Sequence, residues 1–184
     1  MKCMLRAGLV LVMTSVMVML TAGSAGSQLD EKAKGAAGPA AEAFAKMKTL
    51  AGKWEATTPK GEKAILVYEL AAHDTALVER FTDEGSHYYT NMMTMFYVNG
   101  KHLDLTHYCA ANNQPSMRAL LPQVDSNVIA FDFVGATNLT DANAGHMHKA
   151  VFRFADADHI TSEWTWREGG KDKFTEKLEF ARVK

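Results

Sequence analysis

The sequence predicts an all-β fold, an antiparallel up-and-down barrel of about ten strands preceded by one short helix. From Lys53 onward, the chain divides into short segments that are rich in β-branched and aromatic residues or alternate between apolar and polar ones. Turn residues separate the segments at regular intervals and no helical pattern intervenes, which is typical of an antiparallel meander. Closing such a meander into a barrel removes its exposed edges, and a two-sheet sandwich is the alternative.

The helix is predicted over residues 40–50. Pro39 opens this stretch, and proline suits the first turn of a helix. Phe44 and Met47 then begin an apolar stripe at helical spacing, and Gly52 ends the pattern. We therefore expect one amphipathic helix of about three turns.

The ten strands follow directly from the periodicity and the turn signals between segments. Asn99-Gly100 lies between two of them and predicts a type I′ hairpin. Residues 134–145 are small and polar, and predict a long loop that could cover a barrel mouth. The predicted strands are 53–58, 63–70, 75–82, 89–98, 102–110, 116–121, 127–134, 148–155, 158–167 and 172–183.

The beginning of the chain has the pattern of a secretory signal peptide. Lys2 and Arg6 precede an apolar run over residues 7–20, and small residues follow it. The run is too short for a comfortable membrane span. We expect residues 1–25 to be a signal peptide, 26–38 a flexible leader and 39–184 the barrel domain. The mature chain would then be periplasmic or extracellular, without a stable membrane anchor.

The net charge and the cysteine content argue against nucleic acid as a partner and against an internal disulfide. The chain of 184 residues has a net charge of −1, and loss of Lys2 and Arg6 with the signal peptide would bring it to −3. This balance does not favour nucleic acid as a partner. Cys3 would also leave with the signal peptide, so Cys109 would remain alone and could form no internal disulfide.

A short helix followed by Gly52-Lys53-Trp54 at the start of the first strand resembles the calycins. These are the lipocalins, the fatty-acid-binding proteins and the nitrobindin-like haem proteins. The resemblance covers residues 39–184, and it implies an internal cavity and non-enzymatic carriage of a ligand. It also implies that Trp54 plugs one end of the barrel under a basic residue of the last strand, here Arg182.

Two further comparisons refine this resemblance. Segments 106–109 and 113–115 look like those of uncharacterised secreted proteins of lipocalin-like type. Residues 55–57 lack the additional glycines of nitrobindin-like proteins. Residues 160–184 contain no histidine where those proteins hold haem, and His159 is out of phase with the apolar residues that follow it. Haem is therefore the less expected cofactor.

Three histidines share the apolar phase of their strands. His107 is in phase with Leu103 and Leu105, while His146 and His148 are in phase with the apolar residues 150, 152 and 154. Residues two apart on a strand point to the same face, so we expect all three imidazoles to face the interior. The same reasoning places Met147 on the outer face.

Other residues of the predicted interior add carboxylates and indoles. Glu79 and Glu176 follow the apolar phase of their strands, and Trp164 and Trp166 share one face. A carboxylate buried alone is costly, so the two glutamates suggest a polar or hydrated lumen. The two indoles would be core residues or a stacking wall for an apolar ligand.

The histidines allow a metal site as one interpretation. His146 and His148 on one strand, with His107 from another, would make a three-histidine site with an open position. Such a site suits zinc or iron, and metal-bound water could add weak hydrolase or isomerase chemistry, although the calycin resemblance favours a protein that is not an enzyme.

Three functions follow, and the sequence does not decide between them. The first is an exported barrel that binds a small apolar or amphipathic ligand, with the histidines at its polar end. The second is a metalloprotein that uses the same histidines, with or without metal-dependent catalysis. The third is a structural envelope protein in which the histidines belong to the core. The first is preferred, because calycin-like barrels mostly carry ligands.

Overall fold

The computed structural model describes residues 38–83, 92–123 and 125–184. The predicted signal peptide lies outside the described residues. The predicted leader does too, apart from residue 38, as does the predicted start of the fourth strand at residues 89–91. No helix within the described ranges is long and apolar enough to cross a membrane.

The predicted helix is present as α1, Pro39–Lys48. Pro39 occupies its first turn, and Lys46 and Lys48 lie in its last turn, where positive charge stabilises the helix dipole. Its buried face presents Phe44 and Met47 and packs against the fourth and fifth strands.

The ten predicted strands are all present, each within a few residues of its expected bounds. Each strand pairs antiparallel with its neighbours in the chain, and the first pairs with the last, so the sheet is a closed up-and-down barrel. The fold class predicted from the sequence is thus confirmed, and the sandwich alternative is excluded. The strands are β1 Gly52–Thr57, β2 Lys63–Ala71, β3 Ala76–Asp83, β4 Met92–Asn99, β5 His102–Tyr108, β6 Gln114–Ala119, β7 Val128–Thr137, β8 His146–Phe154, β9 His159–Glu168 and β10 Lys171–Arg182.

The core fills the end of the barrel that α1 covers and the space between that end and α1. Phe96, Phe131 and Phe152 form a cluster of mutually tilted rings with centroids 5.5–6.0 Å apart. Aromatic packing at these distances and angles is favourable beyond its buried area. The lumen is therefore closely packed at this level.

Trp54 and Arg182 close the packed end, as the calycin resemblance implies. The guanidinium of Arg182 lies 4.1 Å from the centroid of the Trp54 ring, and the indole nitrogen donates a hydrogen bond to Leu50 O. Arg182 also donates to Thr49 O and Ala51 O, at 2.8 Å each. These contacts tie the end of the helix region to both strands of the barrel seam.

This arrangement explains why residue 52 is a glycine. Its φ is +129°, which side-chain-bearing residues rarely adopt, and a Cβ there would lie 3.0 Å from Arg182 Nη1. The Gly-x-Trp pattern therefore reflects the close approach of the arginine to the start of β1.

Two connections differ from their predictions. The hairpin after Asn99 exists, but its central residues are Gly100 and Lys101 and only Gly100 has positive φ, so it is not a type I′ turn. β7 continues to Thr137, so the connection predicted to begin at residue 134 is shorter than expected.

A β-bulge interrupts β8 and changes the orientation of its first residues. Met147 pairs with Trp166 and Lys149 pairs with Thr165, which leaves His148 as the extra residue. The alternation of β8 therefore slips by one position at the bulge. Met147 therefore faces the lumen. His146, whose register partner in β9 is Arg167, points to the opposite face of the sheet.

Candidate functional site

The barrel interior contains a small chamber above the aromatic core. Its volume is about 30 Å³, which is enough for a water-sized group. His107, Glu79 and Trp164 line it, as predicted for residues of the interior face, together with Ser162. The chamber is lined in full by Leu66, Glu79, Phe81, Met92, His107, Met147, Ser162, Trp164, Glu176, Leu178 and Phe180.

A larger cavity continues the chamber towards the barrel end opposite α1. Its volume is about 610 Å³, and it shares four lining residues with the chamber: Phe81, Met92, Met147 and Glu176. Trp166 and Phe174 form one wall, with rings stacked at 6.3 Å, and Phe174 is 52% exposed. Trp166 and Glu176, both predicted for the interior face, line this cavity at its open end, where Glu176 is exposed.

A chain of buried hydrogen bonds leads to His107. Tyr68 Oη donates to Glu79 Oε2 at 2.5 Å, and Thr94 Oγ1 donates to Glu79 Oε1 at 3.0 Å. Thr94 Oγ1 also lies 2.9 Å from His107 Nδ1. Glu79 and His107 are only 3% and 4% exposed.

This chain determines where the imidazole carries its proton. While Glu79 is ionised, the Thr94 hydroxyl gives its one hydrogen to Glu79, so its oxygen accepts from His107 Nδ1–H. His107 Nε2 is then an unprotonated acceptor. It is buried and has no hydrogen-bond partner among the described residues.

Burial shifts the pKa of each of the three titratable side chains in this series of hydrogen bonds. Burial raises the pKa of Glu79 to about 7, against the opposing effect of its hydrogen bonds from Tyr68 and Thr94. Burial lowers the pKa of His107 to about 4, so the imidazole is neutral near pH 7. Burial, followed by the charge of Glu79, raises the pKa of Tyr68 well above its usual value.

Trp164 links His107 to a second polar group of the chamber. Its ring centroid lies 4.6 Å from that of His107, and its indole N–H donates to Ser162 Oγ at 3.0 Å. That bond uses an acceptor position of the hydroxyl and leaves its own hydrogen available. The chamber therefore presents an acceptor at His107 and a donor at Ser162.

The charged residues among the described lining of both cavities are all acidic. They are Glu79 in the chamber, Glu176 at the junction and Asp83 at the mouth. Burial, followed by the charge of Asp83, raises the pKa of Glu176.

Cys109 lines the larger cavity as a free thiol. Burial raises its pKa, so the reactive thiolate is disfavoured. Cys109 therefore serves as a small apolar residue of the lining.

His146 and His148 do not face the interior, which corrects their predicted orientation. They line a separate depression of about 120 Å³ with Phe133 and Arg167. The β-bulge is the physical reason, because one extra residue reverses the alternation on which the prediction depended. The prediction that Met147 points outward is wrong for the same reason.

Hydrogen bonds occupy every nitrogen of these two imidazoles. Arg167 Nη1 donates to His148 Nε2 at 2.8 Å, His148 Nδ1 donates to His146 Nε2 at 3.1 Å, and His146 Nδ1 donates to Ala144 O at 2.8 Å. This order follows because a carbonyl oxygen can only accept and a guanidinium can only donate. Both imidazoles are neutral in this arrangement and neither has a lone pair left for a metal.

The predicted three-histidine metal site is therefore not formed. His107 lies inside the barrel, and the other two lie in the separate depression. The described residues contain no group of three or more His, Cys, Asp or Glu side chains that could hold a metal ion.

Tyr68, Thr94, Ser162 and Met147 belong to the site and were not identified from the sequence. Tyr68 and Thr94 lie on β2 and β4, whose residues are apolar on both faces, so their inward face was not apparent. Ser162 has the apolar phase of β9, which was the available signal.

Comparison with known proteins identifies no family for this chain. No family model and no curated protein match it. Among solved structures, it is similar to a redesigned β-barrel, mFAP1, bound to DFHBI, with 10% sequence identity and a TM-score of 0.35. The match covers 74% of this chain and 96% of that one.

Proposed function

We propose that this protein is a small-ligand-binding barrel of calycin-like, lipocalin-like type, which holds an amphipathic molecule in its cavity. The polar end of the ligand would enter the small chamber at His107, and its apolar body would occupy the larger cavity. Trp164 would contact the inner part and Trp166 the outer part. Glu79 acts through its hydrogen bonds, and Glu176 lies where the two cavities meet.

The observation that carries this proposal is that Nε2 of His107 has no hydrogen-bond partner in the described parts of the chain. A buried polar atom without a hydrogen-bond partner costs about 1–3 kcal/mol, so such atoms are rare in native structures. Here the atom is fixed by a chain of three further side chains and borders an internal space. A ligand that reaches it recovers the lost hydrogen bond.

The larger cavity has the size and chemistry of a ligand site. Small-molecule sites are concave, of about 300–1,000 Å³, and mostly apolar with a few fixed polar groups. The described walls supply two stacked aromatic rings and the thioethers of Met92 and Met147. Thioether side chains adapt to ligands of different shapes.

Titration with a neutral fluorescent probe, N-phenyl-1-naphthylamine, tests the proposal. We expect saturable binding with increased emission. Ala111→Trp should weaken the affinity at least tenfold, because Ala111 is an exposed residue of the larger cavity and a tryptophan would fill it. Ala157→Trp is the matched control, since it introduces the same side chain at an exposed loop position outside the lining of both cavities.

The proposal is refuted if the folded wild-type protein shows no saturable binding. It is also refuted if the two tryptophan variants bind the probe equally well, because the probe would then lie outside the cavity. Thermal unfolding of each variant establishes that it is folded.

Export is a separate part of the proposal and rests on residues 1–25. The positive residues, the apolar run and the small residues after it together match a signal peptide. Expression of the full chain in an exporting bacterial host, followed by fractionation and N-terminal sequencing, tests it. We expect a periplasmic product that begins near residue 26, and an unprocessed cytoplasmic product would refute export.

A further inference from the structure

We propose that the ligand carries a hydroxyl group, which donates its hydrogen to His107 Nε2 and accepts one from Ser162, on an uncharged apolar body. This inference rests on the proposed binding function and specifies the chemistry of the ligand's buried end.

The requirement for a donor follows from His107. Its Nδ1 hydrogen is used by Thr94, so Nε2 presents only a lone pair to the chamber. A ligand atom that only accepts, such as an ether oxygen or a fluorine, would leave Nε2 unpaired. An O–H or N–H group is needed.

The requirement for an acceptor in the same group follows from Ser162. Its hydroxyl already accepts from the indole of Trp164 and has its own hydrogen to donate. Ser162 and His107 both contact Trp164 and line the same small chamber. A hydroxyl group both donates and accepts, so it satisfies both side chains at once.

The lining excludes a charged head group of either sign. A carboxylate would lie among Glu79, Glu176 and Asp83, without a Lys or Arg among the described residues of the lining. A buried ammonium could donate to His107 Nε2, but it has no lone pair to accept the hydrogen of Ser162, which would stay unpaired. An uncharged hydroxyl has neither cost.

The two volumes divide the ligand into head and body. The chamber of about 30 Å³ admits a group the size of water, whereas the cavity of about 610 Å³ admits a ring system or a folded chain. Trp166 and Phe174 give the larger cavity a flat aromatic wall. An aromatic or aliphatic alcohol matches this division.

Competition against N-phenyl-1-naphthylamine with three matched ligands at pH 8.5, where Glu79 is ionised, tests the inference. The ligands are 2-naphthol, 2-fluoronaphthalene and 2-naphthoate, which share one body and differ in the head group. We expect the naphthol to bind at least tenfold more tightly than either of the others. 1-Decanol against 1-fluorodecane repeats the comparison with an aliphatic body and separates the two sources of the hydroxyl.

A variant locates the effect at His107. His107→Phe keeps a ring beside Trp164 but removes the acceptor, so the preference of naphthol over fluoronaphthalene should fall below threefold. His159→Phe is the matched control at an exposed histidine of β9 and should keep the preference.

The outcomes separate this inference from the binding function. If the probe binds but naphthol binds no more tightly than fluoronaphthalene, or if naphthoate binds best, the hydroxyl inference is wrong and the binding function stands. If neither the probe nor any of the ligands binds, both fail. The comparison on the wild-type protein holds even if the His107 variant does not fold.

Discussion

The hydroxyl of Thr94 couples the protonation of Glu79 to the chemistry that His107 presents. With Glu79 ionised, Thr94 donates to it and His107 carries its hydrogen on Nδ1. With a proton on Glu79 Oε1, the direction reverses, because Glu79 donates to Thr94 and Thr94 donates to Nδ1. The imidazole hydrogen then moves to Nε2, and the acceptor in the chamber becomes a donor.

Glu79→Gln should impose this reversed state at every pH. The amide oxygen would accept from Tyr68 and the amide nitrogen would donate to Thr94, since the opposite orientation leaves the tyrosine hydrogen without an acceptor. Histidine ¹⁵N NMR at pH 8.5 should show His107 protonated on Nδ1 in the wild type and on Nε2 in the variant. Glu176→Gln, which changes a lining residue outside this hydrogen-bonded chain, should leave the wild-type tautomer. An identical tautomer in wild type and Glu79→Gln would refute the coupling.

The same two residues should contribute opposite pH dependences to stability. Glu79 has a pKa of about 7 against 4.5 in an exposed state, so the folded protein holds the extra proton and stability falls as pH rises through that window. His107 has a pKa of about 4 against 6.5, so the unfolded state holds the extra proton and stability rises with pH between those values. The two contributions to the pH dependence of the free energy of unfolding therefore largely cancel between pH 4.5 and 6.5.

Single variants should expose each slope in urea unfolding. Relative to wild type, the stability of Glu79→Gln should rise by about 1 kcal/mol per pH unit from pH 4.5 to 6.5, because only the histidine term remains. That of His107→Phe should fall by a similar amount over the same range. Parallel pH profiles for both variants and the wild type would show that neither group titrates with the shifts described.

At the residue scale, sequence alternation could place His107, Glu79 and Glu176 but not their partners. Each lies on a strand with a clear apolar phase, and period-two geometry then gives the inward face. The partners of Glu79 are set by the register of β2 against β3 and of β3 against β4. Register depends on pairing between strands, which no single strand encodes.

At the scale of the element, the β-bulge in β8 separates what sequence pattern can and cannot predict. The extent of β8 was predicted to within two residues at its start and one at its end. The predicted faces of His146 and Met147 are the reverse of those in the structure, because one unpaired residue at His148 shifts the alternation by one. The bulge places Met147 in the cavity wall and turns the two histidines towards Arg167.

The connection before β8 packs closely against Trp166 at the mouth of the larger cavity. A Cβ at Gly145 would lie 2.2 Å from Cζ2 of Trp166, and Asn113 Nδ2 donates to Gly145 O at 2.9 Å. The backbone at Gly145 thus supports the indole that lines the larger cavity. Any side chain there must displace Trp166 or move the connection.

Gly145→Ala should therefore weaken both stability and ligand binding. We expect a loss of about 1–3 kcal/mol from overpacking, a shift in tryptophan emission and weaker binding of the naphthylamine probe. Gly135→Ala is the matched control, because no atom lies within 4 Å of a Cβ built at that residue. Equal effects of the two substitutions would show that the contact with Trp166 does not position the indole.

At the scale of the whole molecule, the barrel separates a stabilising end from the end that holds the proposed ligand site. α1, Trp54 and Arg182 close one end over the aromatic core. The acid-lined cavity occupies the other end, where the interior remains open. A functional site often costs stability, and packing elsewhere in the molecule offsets that cost.

The sequence could predict the closed end because its signals are local. The helix, the Gly-x-Trp pattern and the strand count follow from spacing and turn residues, and the calycin resemblance supplied the pairing of Trp54 with Arg182. The open end depends on which side chains meet across the lumen. His107 on β5 and Trp164 on β9 are neighbours only because the sheet closes on itself.

Arg182→Ala tests whether stability is concentrated at the closed end. The substitution removes three charged-donor bonds, to Thr49 O, Ala51 O and Ala157 O, and the contact with the Trp54 ring. We expect a loss of about 3 kcal/mol and a Tm lower by about 6–12 °C, with probe affinity unchanged within twofold. Arg153→Ala is the matched control, because it removes an exposed ion pair with Glu163 and should cost less than about 0.5 kcal/mol. If Arg182→Ala instead weakened the affinity for the probe in proportion to its loss of stability, the two ends would be coupled and the division of labour would be wrong.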